Sequence, residues 1–247
     1  MWKHFFNFMD FLACLVPIPP VRRWLRNRKL FSYAAKRDAL RAAYPDLDWR
    51  HMKLAKGGHS LAFILNNKYV FKIRKNHHHY PTDENFIREK RITDAIADVI
   101  GTRVPKMELI QVGDFLVYKT QFIPGRMLID MPLKRIREHR EKIAKQLGTI
   151  IYNLHNAELP ELADMRAEQN ATGPDIGMTH GDMCSNVVID PNTMDVVGII
   201  DWEYANFSSL KNEIIGLSRT RRKMRLTDIA PLTMWNYYNL TTGCTKK

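Results

Sequence analysis

The chain has 247 residues, enough for one two-lobed domain or a domain with an extension. Its net charge of +12, from 38 basic and 26 acidic residues, asks for an anionic partner: a nucleotide, a nucleic acid, a phosphorylated glycan or an acidic lipid. Cys14, Cys184 and Cys244 are an odd count without framework spacing, which argues against a disulfide scaffold and for a reducing, cytoplasmic setting.

Residues 1–45 differ from the rest. An apolar, aromatic start containing Trp2, Phe5, Phe6, Phe8 and Phe11 is followed by the basic run Arg22, Arg23, Arg26 and Arg28. The apolar part falls short of the ~20 residues that a membrane span needs, and prolines break it. No small-residue cleavage site follows, so a signal peptide is not expected. Two readings stay open: residues 1–28 lie in the plane of the cytoplasmic membrane face, or they form a helix packed on the main domain.

From His51 the pattern turns to strands. His51–Ala55, Leu61–Leu65 and Tyr69–Arg74 are separated by the glycine turn Gly57, Gly58, His59, Ser60 and by the tight turn Asn66, Asn67, Lys68. A Gly-Gly-x-Ser turn lets main-chain N–H groups approach phosphate oxygens, although most such turns are only hairpins. Lys72 sits within an apolar strand. On the outer face it would be solvated; on the inner face it would need an anion, and a nucleotide phosphate would supply one. The run His77, His78, His79 reads as a polar loop, because consecutive rings do not converge on one ion. Thr82–Ala97 is helical in pattern with Phe86, Ile92 and Ile96 inward, and Glu89 is either a surface residue or the partner that holds Lys72.

Val104–Val112 and Phe115–Ile123 form a second hairpin about Gly113 and Asp114. Pro124-Gly125 then breaks the pattern, as a hinge between lobes would. One long helix is expected from about Pro132 to Asn156, with Ile136, Ile143, Leu147, Ile150, Ile151 and Leu154 on one face and a solvated basic front half. Glu158–Pro174 reads as loop-rich. Near the end, Lys211–Leu217 is helical in pattern, Arg219–Arg225 is densely basic, and the aromatic run Met234–Tyr238 reads mainly as core packing.

The stretch Met178–Asn206 organises the rest. The β-branched runs Val187–Ile189 and Val196–Ile200 flank a segment, Asp190–Asp195, full of turn formers, and so read as a hairpin. The hairpin brings Asp182 and Asn186 at one end together with Asp201 at the other. An amide and two carboxylates suit Mg²⁺ shared with a polyphosphate.

Gly57-Gly58-x-Ser60, Lys72 in VFKI, Glu89 in the following helix, Phe122–Gly125, Leu154-His155, His180-Gly181-Asp182 and Ile200-Asp201-Trp202-Glu203 come in an order that resembles the aminoglycoside phosphotransferase and choline kinase group. The likeness runs from about Lys53 to Leu217. It implies an α+β, bilobal protein-kinase-like fold with a nucleotide-binding lobe over 46–123, an antiparallel sheet, and a mostly helical catalytic lobe over 124–247. It also implies a kinase that moves the γ-phosphate of ATP to a hydroxyl of a small molecule or glycan. By the same resemblance Asp182 is the catalytic base, Asn186 and Asp201 hold Mg²⁺, Lys72 contacts the α- and β-phosphates with Glu89 as its ion-pair partner, and Gly57, Gly58 and Ser60 cover the phosphates.

One departure bears on the site. The group has four residues between the aspartate and the asparagine, whereas here there are three, Met183, Cys184 and Ser185. This contraction favours an alternative, a pseudokinase that binds nucleotide or a partner without turnover. The acceptor stays open. A choline-like cation would use Glu203 and the faces of Trp202, Tyr204 or Trp235, whereas a surface glycan would draw on the basic charge. Nucleic-acid binding is set aside, since no reading element is present.

Overall fold

The computed structural model describes residues 30–56, 60–74, 83–218 and 229–242. The chain divides into two compact units. One runs through Glu84 and adds Leu109–Lys119; the other comprises Asn85–Glu108 and the chain from Thr120 onward.

The first unit opens with helix α1 (Leu30–Ala43), followed by β1 (Lys53–Lys56), β2 (Ser60–Leu65) and β3 (Tyr69–Arg74), and later by β4 (Glu108–Val112) and β5 (Phe115–Gln121). These strands form one five-stranded antiparallel sheet in the order β1-β2-β3-β5-β4. Alternation decides the faces: Leu61, Phe63 and Leu65 of β2 and Phe71 and Ile73 of β3 are buried together with Val112, Val117 and Leu40 of α1. The β2–β3 turn is set by Asn66 and Asn67, both at φ +52°, with Lys68 N–H donating to Leu65 O at 2.8 Å. Asparagine tolerates the left-handed region that this three-residue connection, Asn66–Lys68, requires.

The second unit begins with α2 (Glu84–Ile96), which buries Phe86, Glu89, Ile92, Thr93 and Ile96. A two-residue strand, β6 (Arg126–Met127), precedes helices α3 (Leu133–Glu138) and α4 (Arg140–His155). The long helix expected from the sequence is therefore two helices. His139, at φ −114° and ψ 14°, ends one and starts the other. Its ring Nδ1 lies 3.0 Å from Arg135 O. No proline or glycine marks the break. The stretch Glu158–Pro174, expected to be loop-rich, contains a further short helix, α5 (Ala163–Glu168).

Next come β7 (Ile176–Thr179), the single turn α6 (Met183–Asn186), β8 (Val187–Ile189), β9 (Val196–Ile199), β10 (Asn206–Ser209), α7 (Leu210–Ser218) and α8 (Ala230–Thr242). Strand β8 pairs antiparallel with both β6 and β9, and β7 pairs with β10. Gly125 has a local role at the start of β6: a Cβ there would stand 2.6 Å from Val188 Cγ1 and 2.8 Å from Ile189 O, so only glycine lets β6 approach β8. Helix α4 lines the core with Ile143, Ala144, Leu147, Ile151 and Leu154. Tyr237 of α8 joins that core, but Trp235 and Tyr238 are each nearly half exposed, so the aromatic run is core at one ring only. Among the described residues no helix is long and apolar enough to cross a membrane.

Candidate active site

The β8–β9 hairpin is the frame. Its closed end is a tight turn in which Asp190 Oδ1 accepts from Asn192 N at 2.7 Å and Asp190 N–H donates to Asp195 O at 2.9 Å. Helices α3 and α4 grip this turn. The Arg135 guanidinium donates to Pro191 O at 2.7 Å, Lys142 Nζ to Thr193 O at 2.7 Å, and Gln146 Nε2 to Asp195 Oδ1 at 2.6 Å. At the open end Ile200 N–H donates to Asn186 O at 3.0 Å, which fastens the residue before β8 to the residue before Asp201.

Between β7 and β8 lies His180-Gly181-Asp182. The buried His180 ring accepts from Asp182 N–H at Nδ1, 3.2 Å, and its Nε2 lies 3.0 Å from Ile200 O. A ring that accepts at Nδ1 carries its proton at Nε2, so it is neutral and donates to Ile200. It packs on Trp202 with ring centroids 4.5 Å apart. Gly181 holds φ +79°, and a Cβ there would meet Tyr204 O at 2.6 Å. Its N–H donates to Glu213 Oε2 at 3.0 Å. Glu213 is 2 % exposed, and burial pushes its carboxyl up to about 7, against the opposing pull of the Gly181 and His180 main-chain N–H groups.

Asp182 stands at the N-cap position of the four-residue turn α6, which carries Met183, Cys184 and Ser185 and ends at Asn186. Four residues on one helical turn return the Asn186 side chain to its starting point. Its Nδ2 donates to Asp182 O at 2.9 Å and to Asp182 Oδ2 at 3.2 Å. The amide hydrogens face the carboxylate, so Oδ1 is the atom left to meet a cation. Asp182 is raised from the ordinary aspartate range by burial first and then by the charges of Asp201 and Glu203, while hydrogen bonds from Asn186 and Ser185 pull it down.

Asp201 occupies the left-handed region, φ 65° and ψ 64°, at the start of a short 3₁₀ turn over Trp202–Tyr204. Trp202 is fully buried and donates its indole N–H to Ile199 O at 3.0 Å. Its main-chain N–H donates to Glu89 Oε1 at 3.1 Å. Glu89 is thus a fully buried residue of α2 that faces the chain just after Asp201, not a surface residue. Beside it, the half-buried Arg88 donates to Glu203 O at 3.1 Å and to Ala205 O.

This donor set fits a hard divalent cation completed from outside. Two carboxylates that feel one another's charge, with an amide oxygen at hand, are relieved by a cation. Among the described residues no three His, Cys, Asp or Glu side chains gather into a self-sufficient cage. Mg²⁺ characteristically takes one or two protein oxygens, here those of Asn186 and Asp201 beside the carboxyl of Asp182, and would complete its shell with phosphate and water.

In the first unit, Lys72 of β3 stands opposite Ala62 in the ladder, on the face away from the buried Phe71 and Ile73, with its ammonium 5.5 Å from the centroid of the Tyr118 ring. Ser60 is buried at the start of β2. Gly57 and Gly58, His77–His79, residues 1–28 and Arg219–Arg225 lie outside the described residues. The sequence reading missed Arg88 and Glu213. A usable signal existed for the second, since Glu213 shares one helical face with Leu210 and Ile214.

No family model matches the sequence, and no curated protein sequence does. Solved structures do match in fold. An aminoglycoside phosphotransferase, APH(2'')-Ib with ADP bound, matches at TM-score 0.61 and 12 % identity over 81 % of each chain. The GDP and kanamycin complex of another, APH(2'')-IIIa, matches at TM-score 0.63 and 12 % identity over 84 % of each. The macrolide 2'-phosphotransferase MphH from Brachybacterium faecium matches at 0.55 and 12 % over 84 % of this chain and 94 % of that one. The chain therefore has the protein-kinase-like fold of aminoglycoside and macrolide phosphotransferases.

Proposed function

We propose that the protein is an ATP-dependent phosphotransferase that moves a γ-phosphoryl group to a hydroxyl of a small molecule or glycan. The observation that carries the reading is the return of Asn186 to Asp182, with Asp201 close enough to shift the same carboxyl. Such transfer asks mainly for positioning and charge neutralisation. Asp182 orients the acceptor hydroxyl and takes its proton. Asn186 holds that carboxylate still through Nδ2 and offers Oδ1 to the metal, and Asp201 offers its carboxylate from the other strand at the same open end of the hairpin. Mg²⁺ held there would neutralise the phosphate oxygens. In the first unit Lys72 serves the α- and β-phosphates and Ser60, with Gly57 and Gly58, the phosphate cover.

Several fold neighbours were solved with ADP, ATP or GDP, and some with kanamycin, gentamicin or streptomycin. That supports a nucleotide and a small-molecule acceptor here. Against the non-catalytic module that the contraction favours speaks the α6 turn, which brings the Asn186 amide back to Asp182.

The test is transfer of label from γ-labelled ATP into a bacterial extract separated into lipid, glycan and small-metabolite fractions. Label enters one fraction with the natural chain and not with Asp182→Asn or Asp201→Ala. Nucleotide binding without transfer into any fraction would select the module instead. A cytoplasmic location at the inner membrane face, through residues 1–28, belongs to the same proposal. Deleting residues 1–20 is expected to release the protein from acidic vesicles with folding retained; unchanged sedimentation would reject it.

A further inference from the structure

We infer that Arg88 is a positioning residue for the carboxylate of Asp201, acting through the main-chain carbonyls of Glu203 and Ala205; this rests on the assignment of Asp201 to the metal. The problem that Arg88 solves is a backbone one. Asp201 holds φ 65° and ψ 64° without being glycine. Such a conformation persists only where its surroundings over-determine it.

Upstream of Asp201 the restraints come from the hairpin and its neighbour. Ile199 O accepts from the Trp202 indole, Ile200 O lies against His180 Nε2, and Ile200 N–H donates to Asn186 O. Downstream they come from one turn of α2. Glu89 Oε1 accepts from Trp202 N–H at 3.1 Å, while the Arg88 guanidinium donates through Nη1 to Glu203 O and through Nη2 to Ala205 O. Asp201 is the link between two fastened segments, so its side chain leaves the backbone in one direction.

The residue type follows from the geometry. Two carbonyls two residues apart are reached together by a planar fork with several N–H donors, whereas an ammonium is a point charge on a flexible stem. The guanidinium is half-buried. Desolvation pulls its affinity for the proton down and the neighbouring Glu89 charge restores part of it. An arginine that served only the surface would not give up water for two carbonyl oxygens.

The experiment uses the full chain with Mn²⁺ and ADP as probes. Bound Mn²⁺ is read by electron paramagnetic resonance at saturating ADP, ADP affinity is read separately in EDTA, and the unfolding midpoint is recorded alongside. Arg88→Met is expected to weaken Mn²⁺ binding by roughly 10- to 100-fold, the range for residues that orient metal ligands, with ADP affinity in EDTA unchanged. Arg88→Lys is expected to fall between that variant and the natural chain. Unchanged Mn²⁺ binding in a folded Arg88→Met, or an equal loss of Mn²⁺ and metal-free ADP binding, overturns the inference. If Arg88→Met does not fold, Arg88→Lys decides it by the same two criteria. A natural chain that binds ADP but no Mn²⁺ overturns the assignment of Asp201 itself, which separates that failure from failure of Arg88.

Discussion

The main-chain N–H of Gly181 donates to the buried carboxyl of Glu213, 3.0 Å away and 32 residues further along the chain. The contact ties the loop that carries Asp182 to helix α7. Among the described residues no cation compensates it, and burial holds the carboxyl near 7 instead of its ordinary 4.5. The folded chain therefore keeps a proton that the unfolded chain has already released between those values. A carboxyl raised in this way contributes stability that is fully present below about 4.5 and is lost as pH rises through about 7. Glu213→Gln keeps an oxygen for Gly181 and cannot titrate. Its unfolding midpoint, relative to the natural chain, is expected to climb from pH 4.5 to 7 and then level off. Parallel pH profiles for the two proteins would rule this out.

Asp182 presents the same sign with a functional consequence. Burial and the charges of Asp201 and Glu203 raise its carboxyl, so its ionised form costs the folded state stability at neutral pH. Asp182→Asn keeps the shape and removes the charge. Turnover is expected to drop by roughly 10²- to 10⁴-fold, the usual share of a general base, while the unfolding midpoint at pH 7 stays level or rises. The natural chain would then be trading stability for reactivity at this residue. Ordinary turnover in the variant would remove Asp182 from the mechanism.

What the sequence made legible was local and periodic. The runs Val187–Ile189 and Val196–Ile199 form the hairpin because β-branched residues flank a segment whose Asp190 side chain closes the turn. Strands β2 and β3 follow from alternation and from two asparagines that accept positive φ. The break at His139 was not legible, since it has no helix-breaking residue and is seen only as a change in backbone angles. Arg88 and Glu213 were hidden for another reason. Arg88, a charged residue within a polar helix, reads as solvated, and Glu213 shows only as a carboxyl on an apolar helical face; tertiary packing reveals that one fastens two carbonyls and the other a main-chain N–H. Gly125 shows a third kind of miss. The break it makes was visible, but its cause, a close approach to β8, depends on a strand pairing that the local pattern does not contain.

The closed end of the hairpin offers a test of framing without chemistry. Gln146 donates to Asp195 Oδ1 and accepts from Val196 N–H, each at 2.6 Å. Gln146→Leu removes both bonds and leaves the Val196 N–H without its partner, which costs about 1–3 kcal/mol. Gln146→Glu keeps the acceptor but sets a carboxylate against Asp195, whose own carboxyl is held down to about 2 by Lys142 and its other hydrogen-bond donors. The glutamate variant is expected to be destabilised too, and to recover in high salt where the leucine variant does not. Chemical denaturation at two salt concentrations checks both; equal salt responses would show that repulsion at Asp195 is not the cause.

At Asp201 stability and activity are expected to part. A left-handed residue other than glycine costs about 1–2 kcal/mol. Aspartate tolerates that region better than alanine, because its short polar side chain can bond locally, and glycine needs no such help. Asp201→Gly should therefore be as stable as the natural chain or more so, offset by the ~0.5–1 kcal/mol that glycine's freedom in the unfolded chain takes back. Asp201→Ala should be the least stable of the three. Both variants lose the carboxylate and should lose turnover alike. The order glycine, aspartate, alanine in unfolding free energy, with equal inactivity of the two variants, would show that the backbone at this position is held against its own preference for the sake of where the carboxylate points. Equal stability of the glycine and alanine variants would mean that φ 65° costs nothing here, and the hold of Arg88 and Glu89 on the following residues would then need another reason.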